Sequence, residues 1–136
     1  MSEQQERRRF HRFPFDAECR LELAQGRKVP CRLLDMSING ALVQVDNSDG
    51  DHLVNQGQLK LSLTGLVDDA RVELVMMVTV VRVHDHRLAC RYALMDTDSF
   101  EALKSLVADN LGDIRLLDRE LTQLDYWPGL SMSPAS

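Results

Sequence analysis

Apolar and polar residues alternate with a period of two over much of the first hundred positions, which is the pattern of strands with one buried face. The alternation is clearest at residues 19–23, 29–33 and 59–63, and residues 71–83 form a longer stretch rich in β-branched side chains. Polar or glycine-containing segments separate these stretches, and one of them covers residues 35–40. The pattern predicts about six strands joined by short loops, an antiparallel barrel or sandwich.

Beyond Met95 the spacing of apolar residues changes to that of amphipathic helices. We predict a first helix with Asp98 as its N-cap and with Gly112 just past its end. Its apolar stripe consists of Leu103, Leu106, Val107 and Leu111. Asp113 is predicted to cap a second helix, whose apolar side carries Ile114, Leu117, Leu121 and Leu124.

A chain of 136 residues with 44% hydrophobic and 27% charged residues has the size and composition of one globular domain. We predict a flexible, arginine-rich arm over residues 1–13 and a β-barrel over residues 14–96. The C-terminal helices are predicted over residues 97–125, and residues 126–136, which contain two prolines, are predicted to be a loose tail.

The formal net charge is −5 at pH 7, which argues against a general DNA- or RNA-binding protein, because such proteins usually carry a basic face. Lys28, Lys60 and Lys104 are the only lysines among the 16 basic residues, so arginine dominates. Arginine suits planar, bidentate contact with phosphate and stacking on flat rings. We therefore expect a compact anionic ligand.

The three cysteines, Cys19, Cys31 and Cys90, are odd in number and none is spaced as in a zinc or redox motif. Free thiols of this kind are typical of a reducing compartment. The first residues lack the apolar segment of a signal peptide, and no apolar stretch is long enough for a membrane span. We expect a cytoplasmic protein that does not insert into membranes.

Two short motifs suggest a binding site. The first is Arg8-x-x-x-Arg12, with Arg7 and Arg9 beside it, and the second is Asp35-x-Ser37-x-x-Gly40. Taken separately, the first could be a solvated charge run. The second could be a simple turn, since Asp, Ser, Asn and Gly all stabilise turns.

Together, in this order and on a six-strand pattern, the two motifs resemble the signature of the PilZ domain, a bacterial receptor for cyclic di-GMP. The resemblance covers nearly the whole chain and is to stand-alone, single-domain members. It implies a mainly β fold, a six-stranded antiparallel β-barrel with C-terminal α-helices. It also implies cyclic di-GMP as a ligand, no cofactor, no metal and no catalytic residue.

The resemblance assigns the ligand-binding residues: Arg7, Arg8, Arg9, Arg12, Asp35, Ser37, Asn39 and Gly40. An arginine fork can meet the O6 and N7 acceptors of guanine or two phosphate oxygens. A carboxylate can accept from guanine N1–H and N2–H₂. The glycine would allow close approach of the chain or a positive φ, and Asn39 could add a side-chain contact.

One position departs from the family pattern. Some stand-alone relatives stack a tryptophan of the fifth strand on a guanine, but residues 76–83 contain no aromatic side chain. Val80 is predicted at the equivalent place, and the guanidinium plane of Arg82 could substitute for the ring.

The resemblance therefore implies a receptor that relays cyclic di-GMP by conformational change to an unidentified effector protein. Two alternatives remain open: a PilZ-fold interaction adaptor that does not depend on the nucleotide, and an enzyme acting on a nucleotide. We expect a monomer that binds one ligand or a stacked pair. His84-Asp85-His86 could be a metal pair but is predicted to be a hairpin turn, and His11 is predicted to neighbour the ligand or to serve in packing.

Overall fold

The structure is a computed structural model that describes residues 10–23, 26–46 and 57–124. Three of the predicted ligand-binding residues, Arg7, Arg8 and Arg9, lie outside the described residues, as does the predicted tail at 126–136.

Six antiparallel strands close into a barrel in the order β1-β2-β3-β6-β5-β4. The strands are β1 (Ala17–Glu22), β2 (Lys28–Met36), β3 (Gly40–Gln44), β4 (Gln58–Val67), β5 (Ala70–His84) and β6 (Arg87–Met95). Two helices follow, α1 (Thr97–Leu111) and α2 (Ile114–Thr122). The predicted mainly β fold, a six-stranded barrel with C-terminal helices, is confirmed.

Alternate side chains of every strand fill the barrel, as the period-two pattern requires. Fully buried examples from five strands are Leu21, Val43, Leu61, Leu63, Met76 and Leu88. Helix α1 packs on the barrel through Leu103, Leu106 and Val107, which are buried. Val75 N of β5 donates a hydrogen bond to the Ser99 hydroxyl at 2.9 Å, which fixes the start of α1 on the barrel.

Two of the turns between strands contain only two residues, and one of them lies where the sequence analysis predicted a hairpin turn, at residues 84–86. Asp68 and Asp69 have φ angles of 51° and 67°, and Asp85 and His86 have 49° and 67°. Positive φ at both central residues is the geometry of hairpin turns that match strand twist. His84-Asp85-His86 therefore forms a hairpin tip, where the His84 Nε2 to Asp85 Oδ2 distance is 3.4 Å and both side chains are exposed.

The helix ends were predicted in part. Gly112 ends α1 with a φ of 75°, and Asp113 caps α2 by accepting from Arg115 N at 2.9 Å, as predicted. The N-cap of α1 is Asp96, whose Oδ1 accepts from Ser99 N at 2.7 Å, so the prediction of Asp98 was wrong. Strand β6 runs to Met95, so the helix follows at once, and Asp98 instead lies in its first turn, where an acid suits the helix dipole.

Two further predictions need correction. The predicted loop at 35–40 is shorter, because β2 extends to Met36 and β3 begins at Gly40, leaving residues 37–39 between them. Ile114 was predicted on the apolar side of α2, but it is 61% exposed because it begins the helix, whereas Leu117 further along is buried. Within the described residues, no helix has the length and apolar character needed to cross a membrane.

Candidate functional site

A cavity of about 220 Å³ lies on the outside of the barrel, between residue 12 and the faces of β2, β3, β5 and β6. It brings together six of the residues predicted for the site: Arg12, Asp35, Ser37, Asn39, Gly40 and Arg82. The cavity is also lined by Leu42, Val81, Ala89 and Arg91, which the sequence analysis did not assign to the site. The two separate motifs thus meet, as far as the described residues extend, in one place.

A β-bulge in β2 turns Asp35 outward. Leu33 pairs with Val43 and Asp35 pairs with Leu42, so Leu34 is the extra residue without a partner across the ladder. In a regular strand Asp35 would share the buried face of Leu33, since side chains alternate. The bulge moves the carboxylate to the cavity side and lets Met36 fill the core in its place.

A second bulge, in β5, turns Arg82 outward in the same way. Val80 pairs with Cys90 and Arg82 with Ala89, so Val81 is the extra residue. Val80 is only 5% exposed and faces the core, whereas Val81 is 52% exposed and lines the cavity. The bulge shifts the alternation of side chains by one residue. Val81, and not Val80, is therefore the apolar residue of β5 that lines the cavity.

The loop between β2 and β3 is held by its own hydrogen bonds. The Ser37 hydroxyl donates to Asn39 Oδ1 at 2.7 Å, and Ser37 N donates to Gly40 O at 2.8 Å. Asn39 O accepts from Tyr92 N of β6 at 3.0 Å, which ties the loop to the neighbouring strand. Ser37 is 3% exposed, and its hydroxyl is engaged in hydrogen bonding within the loop.

Gly40 permits close approach of two backbones. A Cβ at this position would lie directly against the carbonyl oxygen of Cys90 on β6. Gly40 is not among the glycines with positive φ, so of the two reasons expected for a glycine here, the close approach applies.

The leading segment, residues 10–13, places Arg12 at the edge of the cavity. Phe13 N donates to Met36 O at 2.9 Å and Met36 N donates to Phe13 O at 2.8 Å, so the segment is bridged to the end of β2. His11 N donates to Glu120 Oε2 of α2 at 2.7 Å, and the His11 ring stacks on Phe13 with ring centroids 6.3 Å apart. Arg12 is exposed between these two attachments.

Glu120 is an uncommon buried acid. The residue is 7% exposed, and burial raises the pKa of its carboxyl, while the bond from His11 N opposes that rise. Its second oxygen, Oε1, is buried without a hydrogen-bond partner in the described part of the chain. A buried carboxylate that meets a backbone N–H across 109 residues of sequence links the leading segment to α2.

The cavity is locally basic, although the chain as a whole is acidic. Three arginines, Arg12, Arg82 and Arg91, line it against the single carboxylate of Asp35, in a chain of net charge −5. Such a concentration of guanidinium groups attracts a small anion and suits bidentate contact with phosphate or guanine.

The order of strands builds the floor of the cavity. The outward residues Asp35, Leu42, Ala89 and Arg82 form a continuous row across β2, β3, β6 and β5. In the next row, Gly40 lies opposite Arg91, which lies opposite Thr79. A carboxylate and a guanidinium thus stand at the two ends of a small apolar shelf made by Leu42 and Ala89.

Arg91 is the charged residue among those of the cavity that the sequence analysis missed. The signal was present, because burial of Leu88, Cys90 and Tyr92 leaves Arg91 on the outer face of β6. What the sequence does not reveal is that β6 lies beside β3, a neighbour distant in the chain. In the residues that the structure describes, no group of three or more His, Cys, Asp or Glu side chains is placed to hold a metal ion.

Comparison with known families identifies the class. The family described as "PilZ domain" matches residues 6–109, most of the chain and both motifs. The chain belongs to the PilZ domain family.

Solved structures agree with the fold. The chain is similar to the PilZ domain with c-di-GMP of YcgR from Escherichia coli, with 15% identity and a TM-score of 0.53, over 87% of this chain and 99% of that one. It is similar to K. pneumonia MrkH in its c-di-GMP complex, with 15% identity and a TM-score of 0.51, over 79% and 54% of the two chains.

A third similar structure is the Bacillus subtilis inhibitor of motility MotI/DgrA, with 12% identity and a TM-score of 0.57, over 77% of this chain. The match spans about half of that protein, 51% of its length.

Proposed function

We propose that this chain is a cytoplasmic bacterial second-messenger receptor that binds cyclic di-GMP in the cavity described above. It acts by binding the dinucleotide and does not catalyse a reaction. The observation that carries the proposal is the meeting of Arg12 with residues 35–40 in one arginine-rich cavity of an acidic chain. The YcgR and MrkH structures, which share the fold, contain this ligand.

The chemistry of the cavity matches the chemistry of the ligand. Cyclic di-GMP offers two phosphates and two guanines. Arg12, joined by Arg8 and its neighbours of the first motif, contacts phosphate oxygens or the O6 and N7 edge of a guanine. The carboxylate of Asp35 accepts from guanine N1–H and N2–H₂. Ser37 and Asn39 hold the loop in place, and Gly40 lets β3 lie close against β6 beside the cavity.

The signal passes, in this proposal, from the leading segment to α2 and from there to an effector protein. Glu120 of α2 holds His11, the residue next to Arg12. A ligand that draws Arg12 into the cavity acts on the same short segment that Glu120 holds. Ligand binding and the position of α2 are therefore coupled if the ligand favours one arrangement of this segment over the other.

Calorimetric titration of the full chain with cyclic di-GMP tests the binding site. We expect saturable binding by the wild type and strong loss in Arg12→Ala and Asp35→Ala. Arg20→Ala is the matched control, an exposed arginine on β1 outside the cavity. Equal binding by all four proteins would place the ligand elsewhere. Absence of binding by the folded wild type would favour the nucleotide-independent adaptor.

Two further measurements test the remaining parts of the proposal. Chromatography of the ligand after long incubation with the protein should show it intact, and its turnover would revive the enzyme alternative. Amide hydrogen exchange should show protection of residues 7–12 and 35–40 on binding, together with a change in residues 113–124. If only residues 7–12 and 35–40 respond, the relay through α2 is wrong and the ligand-covered face itself carries the signal.

A further inference from the structure

Two arginines of the barrel, Arg82 of β5 and Arg91 of β6, line the cavity together with the loop of residues 37–39. Both side chains are exposed; Arg91 pairs with Gly40 of β3 and Thr79 of β5, and Arg82 pairs with Ala89 of β6. Their backbones are therefore held by the sheet. The leading segment that carries Arg12 is instead held by a bridge at Phe13 and one bond to α2.

The pairing of the strands gives these two arginines no acidic neighbour. Arg91 lies between Gly40 and Thr79 in its row, and Arg82 lies next to Ala89. Asp35 stands at the far end of the row of Arg82, three strand spacings or roughly 14 Å away at the backbone. Ion pairs found in the described residues join other groups: His84–Asp85, Lys104–Glu101 and Arg115–Asp113.

Arg82 and Arg91 belong to neighbouring strands and line the same cavity. Like charges repel, so an anion that joins two such guanidinium groups is favoured. Gly40 lies directly opposite Arg91, and it presents no side chain at that point. The side chain of Arg91 therefore stands beside the loop of residues 37–39, at the cavity. A phosphate group fits this place, since it carries charge and two oxygens for the arginine fork.

We propose that Arg91 is a ligand-binding residue that contacts a phosphate of the dinucleotide, and that Arg82 supports it from the neighbouring strand by covering a guanine over the Leu42–Ala89 shelf. This inference deepens the proposed function and rests on it. The ligand is then held from two sides: by the leading segment with Arg12 and by arginines fixed in the sheet. The barrel side replaces, with guanidinium groups, the aromatic ring that residues 76–83 lack.

The test compares arginines of the same strand. Arg91→Ala and Arg87→Ala each remove an exposed arginine from β6, but Arg87 lies at the hairpin end opposite Gln44 and His84, outside the cavity. In calorimetric titration with cyclic di-GMP we expect Arg91→Ala to weaken binding at least tenfold and Arg87→Ala to bind within twofold of the wild type. Arg91→Lys keeps the charge but loses the planar fork, so it should lie between.

Repeating each titration at two salt concentrations separates a contact with the ligand from a structural role. Loss of a phosphate contact should make binding by Arg91→Ala less sensitive to salt, whereas a change in folding alone would leave that sensitivity unaltered. Arg91→Ala binding within twofold of the wild type, in a protein that loses binding on Arg12→Ala, would overturn the inference and leave the proposed function standing. Failure of the wild type to bind would overturn the proposed function first.

Discussion

The two halves of the candidate site are built differently. The loop of residues 37–39 is buried, bonded within itself and tied to β6, so the fold determines its shape. The leading segment, residues 10–13, is anchored by the buried Phe13, which bridges to Met36, and by the bond from His11 to Glu120, while the side chain of Arg12 stays exposed. Changes in the loop should therefore alter stability and binding together, and changes at Arg12 should alter binding alone.

Gly40→Ala should have the broadest effect, because it should lower both stability and ligand binding. The added Cβ would meet the Cys90 carbonyl, so β3 and β6 must separate, which we expect to cost about 1–3 kcal/mol of unfolding free energy. Urea denaturation and ligand titration measure the two effects. Unchanged stability would mean that β3 and β6 separate there at little cost. The contrast between the loop of residues 37–39 and the leading segment would then be weaker.

Arg12→Ala should affect binding without affecting stability. An exposed arginine carries little packing, so the urea midpoint should stay within experimental error. Loss of its charge-assisted hydrogen bonds should cost about 2–4 kcal/mol of binding free energy. A large loss of stability in this variant would show that the leading segment contributes to the fold as much as the loop does.

Asp35→Asn should have a smaller effect, because it keeps the size of the side chain and one acceptor but replaces the other acceptor with a donor. We expect a loss of about 1–2 kcal/mol of binding free energy with normal stability. Asp35→Ala gives the comparison without any acceptor. If the asparagine variant binds like the wild type, Asp35 does not read the paired donors of guanine.

Glu120→Gln tests the attachment of the leading segment through pH. Burial raises the pKa of Glu120, so the folded protein binds its proton more tightly than the unfolded chain does. Stability is then lost as pH rises from the unfolded pKa through the folded one. The glutamine, which keeps an acceptor for His11 N, should raise the melting temperature at pH 7 and have less effect near pH 4.

The opposite sign at pH 7, a clear destabilisation by glutamine, would mean that the charge of Glu120 is itself stabilising. Glu120→Ala provides the control without an acceptor for the backbone N–H of His11. It should increase hydrogen exchange in residues 10–13 more than the glutamine variant does.

Alkylation of Cys90 probes the half of the site that contains the loop of residues 37–39, and it should show the smallest effect of the changes proposed here. It lies in β6 beside Gly40, and burial raises the pKa of its thiol to about 12. Because the thiolate is the reactive form, a thiol-alkylating reagent at pH 8 should label Cys90 very slowly in the folded protein and readily in urea. Rapid labelling, located by peptide mass spectrometry, would show that β3 and β6 separate frequently in this half of the site.

The sequence was sufficient for the fold because period-two alternation and turn residues are local signals. The hairpin at Asp85–His86 and the cap at Asp113 were predictable for the same reason. The outward direction of Asp35 and Arg82 was not predictable from alternation, since each depends on a bulge whose position is set by the partner strand. To predict Arg91 as a site residue, one would need to know that β3 pairs with β6, and two strands separate these in the sequence.

Closure of the sheet has a consequence for recognition by other proteins. Each of the six described strands pairs on both sides, so unpaired backbone N–H and C=O groups are confined to strand ends, such as residues 80–84 of β5, where the β4–β5 ladder has already ended at Thr79. Along the rest of the described barrel, a partner finds no free edge to extend with a strand of its own, a common mode of peptide capture. A protein that bound away from these strand ends would have to recognise side chains on the outer face of the barrel or on its helices, which would make that recognition specific to sequence.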